Sequence, residues 1–83
     1  MEVSITPEAL EQARRLPSRI HARVIRLVER LRSWPAVSGA KPLSGRLAGH
    51  FRMRTGDYQA QFRVKRGRIV VEKIGHRDGF YDE

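Results

Sequence analysis

Eighty-three residues make one small domain, with no room for a second catalytic domain or a large cofactor cradle. Hydrophobic residues are 40% and charged residues 31%, the balance of a globular chain rather than a disordered one. Seventeen basic and nine acidic residues give +8, and the lack of cysteine excludes disulfides, thiolate metal sites and a cysteine nucleophile.

In chain order, Val3 and Ile5 alternate with polar neighbours, which predicts a short strand. Thr6 then reads as an N-cap, Pro7 as a first-turn proline, and Glu8 suits the positive end of a helix. A first helix is expected over 7–16, with Ala9, Leu10, Ala13 and Leu16 on its apolar side. Pro17 breaks it and Ser18 is placed to cap the next. A second helix is expected over 19–33. Ile20, Val24, Leu27, Val28 and Leu31 form its core-facing stripe, and Arg19, Arg23, Arg26 and Arg30 form a parallel one. The arginine stripe reads as a solvated flank ahead of a phosphate grip.

Trp34-Pro35 ends the helical half, and 35–46, rich in Pro, Gly and Ser, reads as a loop. Strands follow. Phe51 and Met53 point one way while His50, Arg52 and Arg54 point the other. After a Gly56-Asp57 turn, Tyr58, Ala60, Phe62 and Val64 form an apolar face, with Gln59, Gln61 and Arg63 opposite. Arg66-Gly67 turns the chain again into a strand over 68–74, whose Ile69-Val70-Val71 run predicts an interior position. The expected fold is a small two-layer α+β sandwich: an N-terminal strand, a helical hairpin, then a three-strand antiparallel meander, one domain over 1–83.

Two-residue turns set the register. Arg54 falls opposite Gln59, Arg52 opposite Gln61 and Phe51 opposite Phe62. Counting back from Arg66-Gly67 sets Glu72 across from Gln61, in reach of Arg52. Arg52 and Arg54 repel each other on one sheet face. A phosphate relieves that repulsion and accepts forked hydrogen bonds; a wetted outer face is the plainer alternative.

The charge is uneven. Residues 41–77 hold ten basic and two acidic side chains, net +8, whereas 1–40 hold seven and four, net +3. Fourteen of the seventeen cations are Arg, whose planar fork matches phosphate. A basic half of this kind favours nucleic acid or another polyanion. No apolar run approaches the ~18 residues of a membrane span. The first seven residues lack the basic start and apolar stretch of a signal peptide, so a cytoplasmic location is expected.

No metal or cofactor is expected. His21, His50 and His76 fall on different elements, and neither a nucleophile elbow nor a P-loop is present. Chemistry run by cationic side chains alone remains. RNA cleavage fits, because RNA carries its own nucleophile, the 2′-OH. Gly75-His76-Arg77-Asp78-Gly79-Phe80-Tyr81 places a His, an Arg and a Tyr just past a strand end, beside the two-Arg strand.

Lys41-Pro42-Leu43, Leu47-Ala48-Gly49, Phe51-Arg52-Met53-Arg54, Gly56-Asp57-Tyr58, Ile74-Gly75-His76-Arg77 and Tyr81 follow one another in this order. The set resembles the RelE/ParE superfamily of bacterial type II toxins over nearly the whole chain, nearest its RelE branch. The resemblance implies a microbial-ribonuclease-like fold and a toxin that enters the ribosomal A site and cuts mRNA without metal. It also implies a RelB-like antitoxin that neutralises the toxin. By the same resemblance Arg52, Arg54, Arg77 and Tyr81 are the catalytic candidates. Gln59, Arg63, His76, Lys41 and Arg46 are the substrate-binding candidates around them. The family carries an Arg just after the Gly-x-Tyr turn, where this chain has Gln59. Guanidinium is no general base, which leaves Tyr81, His76 or Glu72 for that role. The ParE branch implies the alternative, a non-enzymatic toxin that inhibits DNA gyrase.

Overall fold

In the computed structural model, which describes residues 1–81, two helices pack on one face of a five-stranded sheet. The elements are β1 (Glu2–Ile5), α1 (Pro7–Arg14), α2 (Ser18–Arg30), β2 (Lys41–Pro42), β3 (His50–Thr55), β4 (Tyr58–Lys65) and β5 (Arg68–His76). The sheet order is β1-β5-β4-β3-β2. β3, β4 and β5 form the expected antiparallel meander, and β1 joins it in parallel along β5, with Val3 beside Ile69 and Ile5 beside Val71. β5 is therefore interior, and β4 is the middle strand.

Thr6 caps α1 as its sequence predicts: its hydroxyl accepts from the Ala9 N–H at 3.1 Å. The Thr6 N–H in turn donates to the Val71 carbonyl at 3.0 Å, fixing the start of α1 to β5. α2 departs from expectation at its start. Pro17, extended at φ −54° and ψ 146°, takes the cap position, and Ser18 is the first helical residue without a capping bond. At the other end the last turn tightens to a 3₁₀ turn over Leu31–Ser33. Trp34 leaves the helix in an extended conformation, as the residue before a proline must.

The α2 stripe is the heart of the core. Val24, Leu27, Val28 and Leu31 are buried against Met53, Ala60, Phe62, Ile69, Val71 and Ile74 of the sheet, with Ala9 and Ala13 from α1. Trp34, Phe51 and Phe62 close one end of it. Trp34 meets the other two rings edge-on at 4.9 and 5.4 Å, and these stack at 5.7 Å. Each such aromatic pair adds about 0.5–1.5 kcal/mol to the gain from burial.

Two features differ from the sequence reading. Lys41–Pro42, expected in a loop, form a two-residue edge strand against Phe51 and Arg52. An edge tolerates proline because its missing N–H faces no partner. More consequential is a bulge between β4 and β5. Val71 pairs with Phe62, but Gln61 then pairs with Lys73, so Glu72 is the extra residue. Beyond Val71 the β1 side of β5 has no strand partner, and the Gln12 side chain of α1 accepts the Ile74 N–H there at 2.8 Å. The hairpin turns keep the expected two-residue length, with Gly56 at φ 62° and the Arg66-Gly67 pair at 49° and 76°.

Candidate active site

The helices take the face carrying Met53, Ala60 and Phe62, so strand alternation turns Arg52, Arg54, Gln59 and Gln61 to the other. The bulge adds Lys73 to that second face, opposite Gln61. The chain after β5 then folds back over it. The Phe80 ring lies against Gly75, and Phe80 is buried. The Lys73 ammonium donates to the Phe80 carbonyl and sits 4.7 Å from the Phe80 ring centre and 5.7 Å from that of Tyr81. Lys73 thus holds the tyrosine segment in place. Sequence reasoning missed it because the bulge was not counted. The signal was present: the apolar residues Val71 and Ile74 stand three apart, where a regular strand has a step of two.

Tyr81 is half-exposed, with Arg52 beside it and a side-chain hydrogen bond to Gln59. Partial burial raises its phenol above the usual value, against the lowering pull of the Arg52 charge and the Gln59 bond. The phenol therefore keeps its proton at neutral pH and is a donor. Gln59 itself is only 3% exposed, between Arg54 on β3 and Gly75 on β5. At the position where the resemblance implies an arginine, this chain has a neutral side chain beside the tyrosine.

Two grooves flank this centre. Lys41, Arg52 and Arg54 line one, with Gly39 at its lip. Arg46, Leu47, Gln61, Lys73 and Tyr81 line the other, about 450 Å³ in volume. Three of the sequence candidates stand elsewhere. Arg63 lines a groove at the far end of the sheet with Lys65, Arg66 and Arg68. Arg77 reaches the β3–β4 turn: its N–H donates to the Asp57 carbonyl at 2.7 Å, and its Nε lies 3.6 Å from the Asp57 carboxylate. His76 packs edge-on against Tyr58, and its Nδ1 accepts the Asp78 N–H at 3.0 Å. That bond leaves the proton of the neutral ring on Nε2.

Glu72 does not meet Arg52. As the bulge residue it turns to His50, with Nε2 at 2.9 Å, and to Arg63, with Nε at 3.1 Å. The Arg63 contact is charge attraction without hydrogen-bond alignment, and the buried His50 Nδ1 has no hydrogen-bond partner among the described residues. Glu72 is thus bound away from the arginine pair. Among the described residues no three of His, Asp and Glu cluster as a metal site requires, and no helix is long and apolar enough to cross a membrane. The centre is therefore a face of fixed cations with one protonated phenol. It is suited to holding a phosphate and handing a proton to an oxygen leaving it.

Comparison with known proteins gives the family and the fold. The family model of the ParE toxin of type II toxin–antitoxin systems matches residues 3–79. A chain of the RelBE2 toxin–antitoxin complex from Mycobacterium tuberculosis is 31% identical, with a TM-score of 0.80 over 92% of this chain and 90% of that one. A chain of the RelB–RelE complex from Methanococcus jannaschii shares the fold at 21% identity and a TM-score of 0.77, covering 94% of each. One from the chromosomal ParDE system of P. aeruginosa does so at 16% and 0.70, covering 92% of this chain and 95% of that one. Comparison with curated protein sequences gave no match. Fold, cationic face and family model converge: the chain belongs to the ParE toxin family, within the RelE/ParE superfamily of type II toxin–antitoxin toxins.

Proposed function

We propose that this toxin is a metal-independent, ribosome-dependent mRNA endonuclease acting in the cytoplasm. The observation that carries the reading is the Arg52–Tyr81 pair, a permanent cation beside a phenol that is protonated at neutral pH. Arg52 and Arg54 hold the scissile phosphate and stabilise charge on it as the 2′-OH attacks. The bond from O2′ to phosphorus forms and the bond to O5′ breaks, leaving a 2′,3′-cyclic phosphate and a 5′-hydroxyl. Tyr81 supplies the proton to O5′. The 2′-OH proton passes to water, because guanidinium stays protonated, Tyr81 holds its own proton and Glu72 is bound by His50 and Arg63. Lys41, Arg46, Gln59 and Lys73 border the strand. Arg77 reaches the leaving oxygen only by releasing Asp57. A RelB-like antitoxin is the partner, as in the complexes this chain resembles.

The test is primer extension on a defined mRNA, with programmed ribosomes and without them. Cuts that need ribosomes and are lost in Arg52→Gln and Tyr81→Phe support the proposal. Absence of cuts from the folded chain sinks it. A second reading is a toxin that inhibits DNA gyrase without cutting RNA. The ParE family model and the uncharged Gln59 favour it. Inhibition of supercoiling by the purified chain, with mRNA left intact, identifies that activity.

A further inference from the structure

Arg23, Arg26 and Arg30 are not a simple solvated flank. With Leu27 they form one wall of a groove of about 350 Å³, and Arg54 and Thr55 at the end of β3 form the other. β2 pairs only with Phe51 and Arg52, so β3 at Arg54 is an open edge. Arg54 also lines the groove with Lys41 and Arg52 on the site face. The two cationic grooves share that wall and make one track around the sheet edge.

Charge pairing divides the arginines. Arg14, Arg15, Arg32, Arg63, Arg68 and Arg77 each lie against a carboxylate. Among the described residues Arg19, Arg23, Arg26, Arg30, Arg46, Arg52, Arg54 and Arg66 have none, and Arg23, Arg26, Arg30 and Arg54 of these share one groove. Like charges three and four apart on a helix oppose its formation, so the stripe is held at a cost. Its ends are also positioned. The Arg23 guanidinium lies over Gly56, where a Cβ would stand, and Arg30 donates to the Ser38 carbonyl at 2.9 Å.

We propose that this groove binds the phosphate backbone of single-stranded RNA continuing from the strand held on the site face. The inference rests on the endonuclease reading for the presence of RNA on that face. Forked guanidiniums suit phosphate oxygens. An amphipathic partner helix needs an apolar floor, and Leu27 is the groove's one apolar side chain. The track adds contacts outside the reacting phosphodiester, so it sets how much flanking RNA is gripped.

The test measures binding of a short and a long 2′-O-methyl RNA, which lacks the nucleophile, by fluorescence anisotropy over a salt series without ribosomes. The triple variant Arg23→Gln, Arg26→Gln, Arg30→Gln is compared with the corresponding triple Lys variant. Three lost phosphate contacts lower the steepness of log K against log salt by about 2, and weaken the long RNA about tenfold or more at ~0.1 M salt. The short RNA is unaffected, and the Lys variant keeps the wild-type slope. Unchanged long-RNA affinity and slope in the Gln variant overturns the proposal. So does a loss that the Lys variant shares, or wild-type chain that binds no RNA. Poly-glutamate affected more than RNA assigns the groove to an acidic protein instead. Cleavage on programmed ribosomes reports separately on the endonuclease reading. Groove-dependent RNA binding without cuts removes that reading alone, and cuts with groove-independent binding remove the groove alone.

Discussion

Gln59→Arg is the substitution that bears most directly on the site. It places the cation that the resemblance implies at a position that is 3% exposed. Its structural cost has three parts. A guanidinium is buried without a partner, which costs about 1–3 kcal/mol or more. The side-chain bond from Gln59 to Tyr81 is lost, worth about 1 kcal/mol net. A new charge also appears directly across from Arg54, and like charges in that relation cost about 0.2–1 kcal/mol. The sum, roughly 2–5 kcal/mol, lowers the melting temperature by about 10–40 °C in a domain of this size. The chemical gain is of similar size. One more preorganised group on the phosphate is worth about 10²–10³ in rate, or ~2.7–4 kcal/mol. The variant should melt earlier and cut faster. Circular dichroism melts and single-turnover primer extension on programmed ribosomes check the two halves independently. Added inorganic phosphate should recover part of the lost melting temperature by sitting between the two arginines. A folded Gln59→Arg chain that cuts no faster than wild type refutes the account of Arg52 and Arg54 as phosphate ligands short of one partner.

Tyr81→Phe removes the donated proton and keeps the ring, and cleavage should fall about 10²–10⁴-fold, as with Tyr81→Ala. Activity kept in Phe and lost in Ala would make Tyr81 a stacking surface instead. The raised phenol pKa also predicts a pH dependence of stability. The folded chain holds this proton more tightly than the unfolded chain, whose phenol titrates at the usual 10.0. Stability from Tyr81 is therefore intact below that value and lost as pH climbs through the folded one. Urea midpoints of wild type and Tyr81→Phe should run parallel up to about pH 10 and diverge above it. Phe62→Ala empties the contact between α2, Trp34 and Phe51 and should cost about 3–5 kcal/mol, read as a lower urea midpoint at unchanged m-value.

The parts of this fold that local rules govern were legible in the sequence. Thr6-Pro7, the α2 stripe and the alternation of Phe51, Met53, Ala60 and Phe62 each fix an element by its own neighbours. The short Gly56-Asp57 turn then fixes the β3–β4 register, and with it the sharing of one face by Arg52, Arg54 and Gln59. What was hidden depends on distant partners. Nothing near Lys41 announces an edge strand, because Phe51 and Arg52 supply the pairing. Glu72 was misassigned by one residue, since a strand with a bulge reads like a regular one until its apolar spacing is counted. Arg77 is drawn to Asp57 across a turn that only the closed sheet brings near. The arginine flank of α2 became a groove wall for the same reason: its second wall is Arg54, on another element.

The parallel pairing of β1 with β5 has a consequence for synthesis. During translation the first strand and both helices emerge before any surface exists on which they can pack, and long-range pairing of this kind forms late. β1 waits for Ile69 and Val71, and the α2 stripe stays open until β3, β4 and β5 have appeared. Lys41, Arg52, Arg54, Lys73 and Tyr81 all lie in that later half. A nascent chain therefore lacks the assembled face of Lys41, Arg52, Arg54, Lys73 and Tyr81 until β3, β4 and β5 have emerged. That delay gives an antitoxin made nearby an interval in which to meet the chain before that face exists.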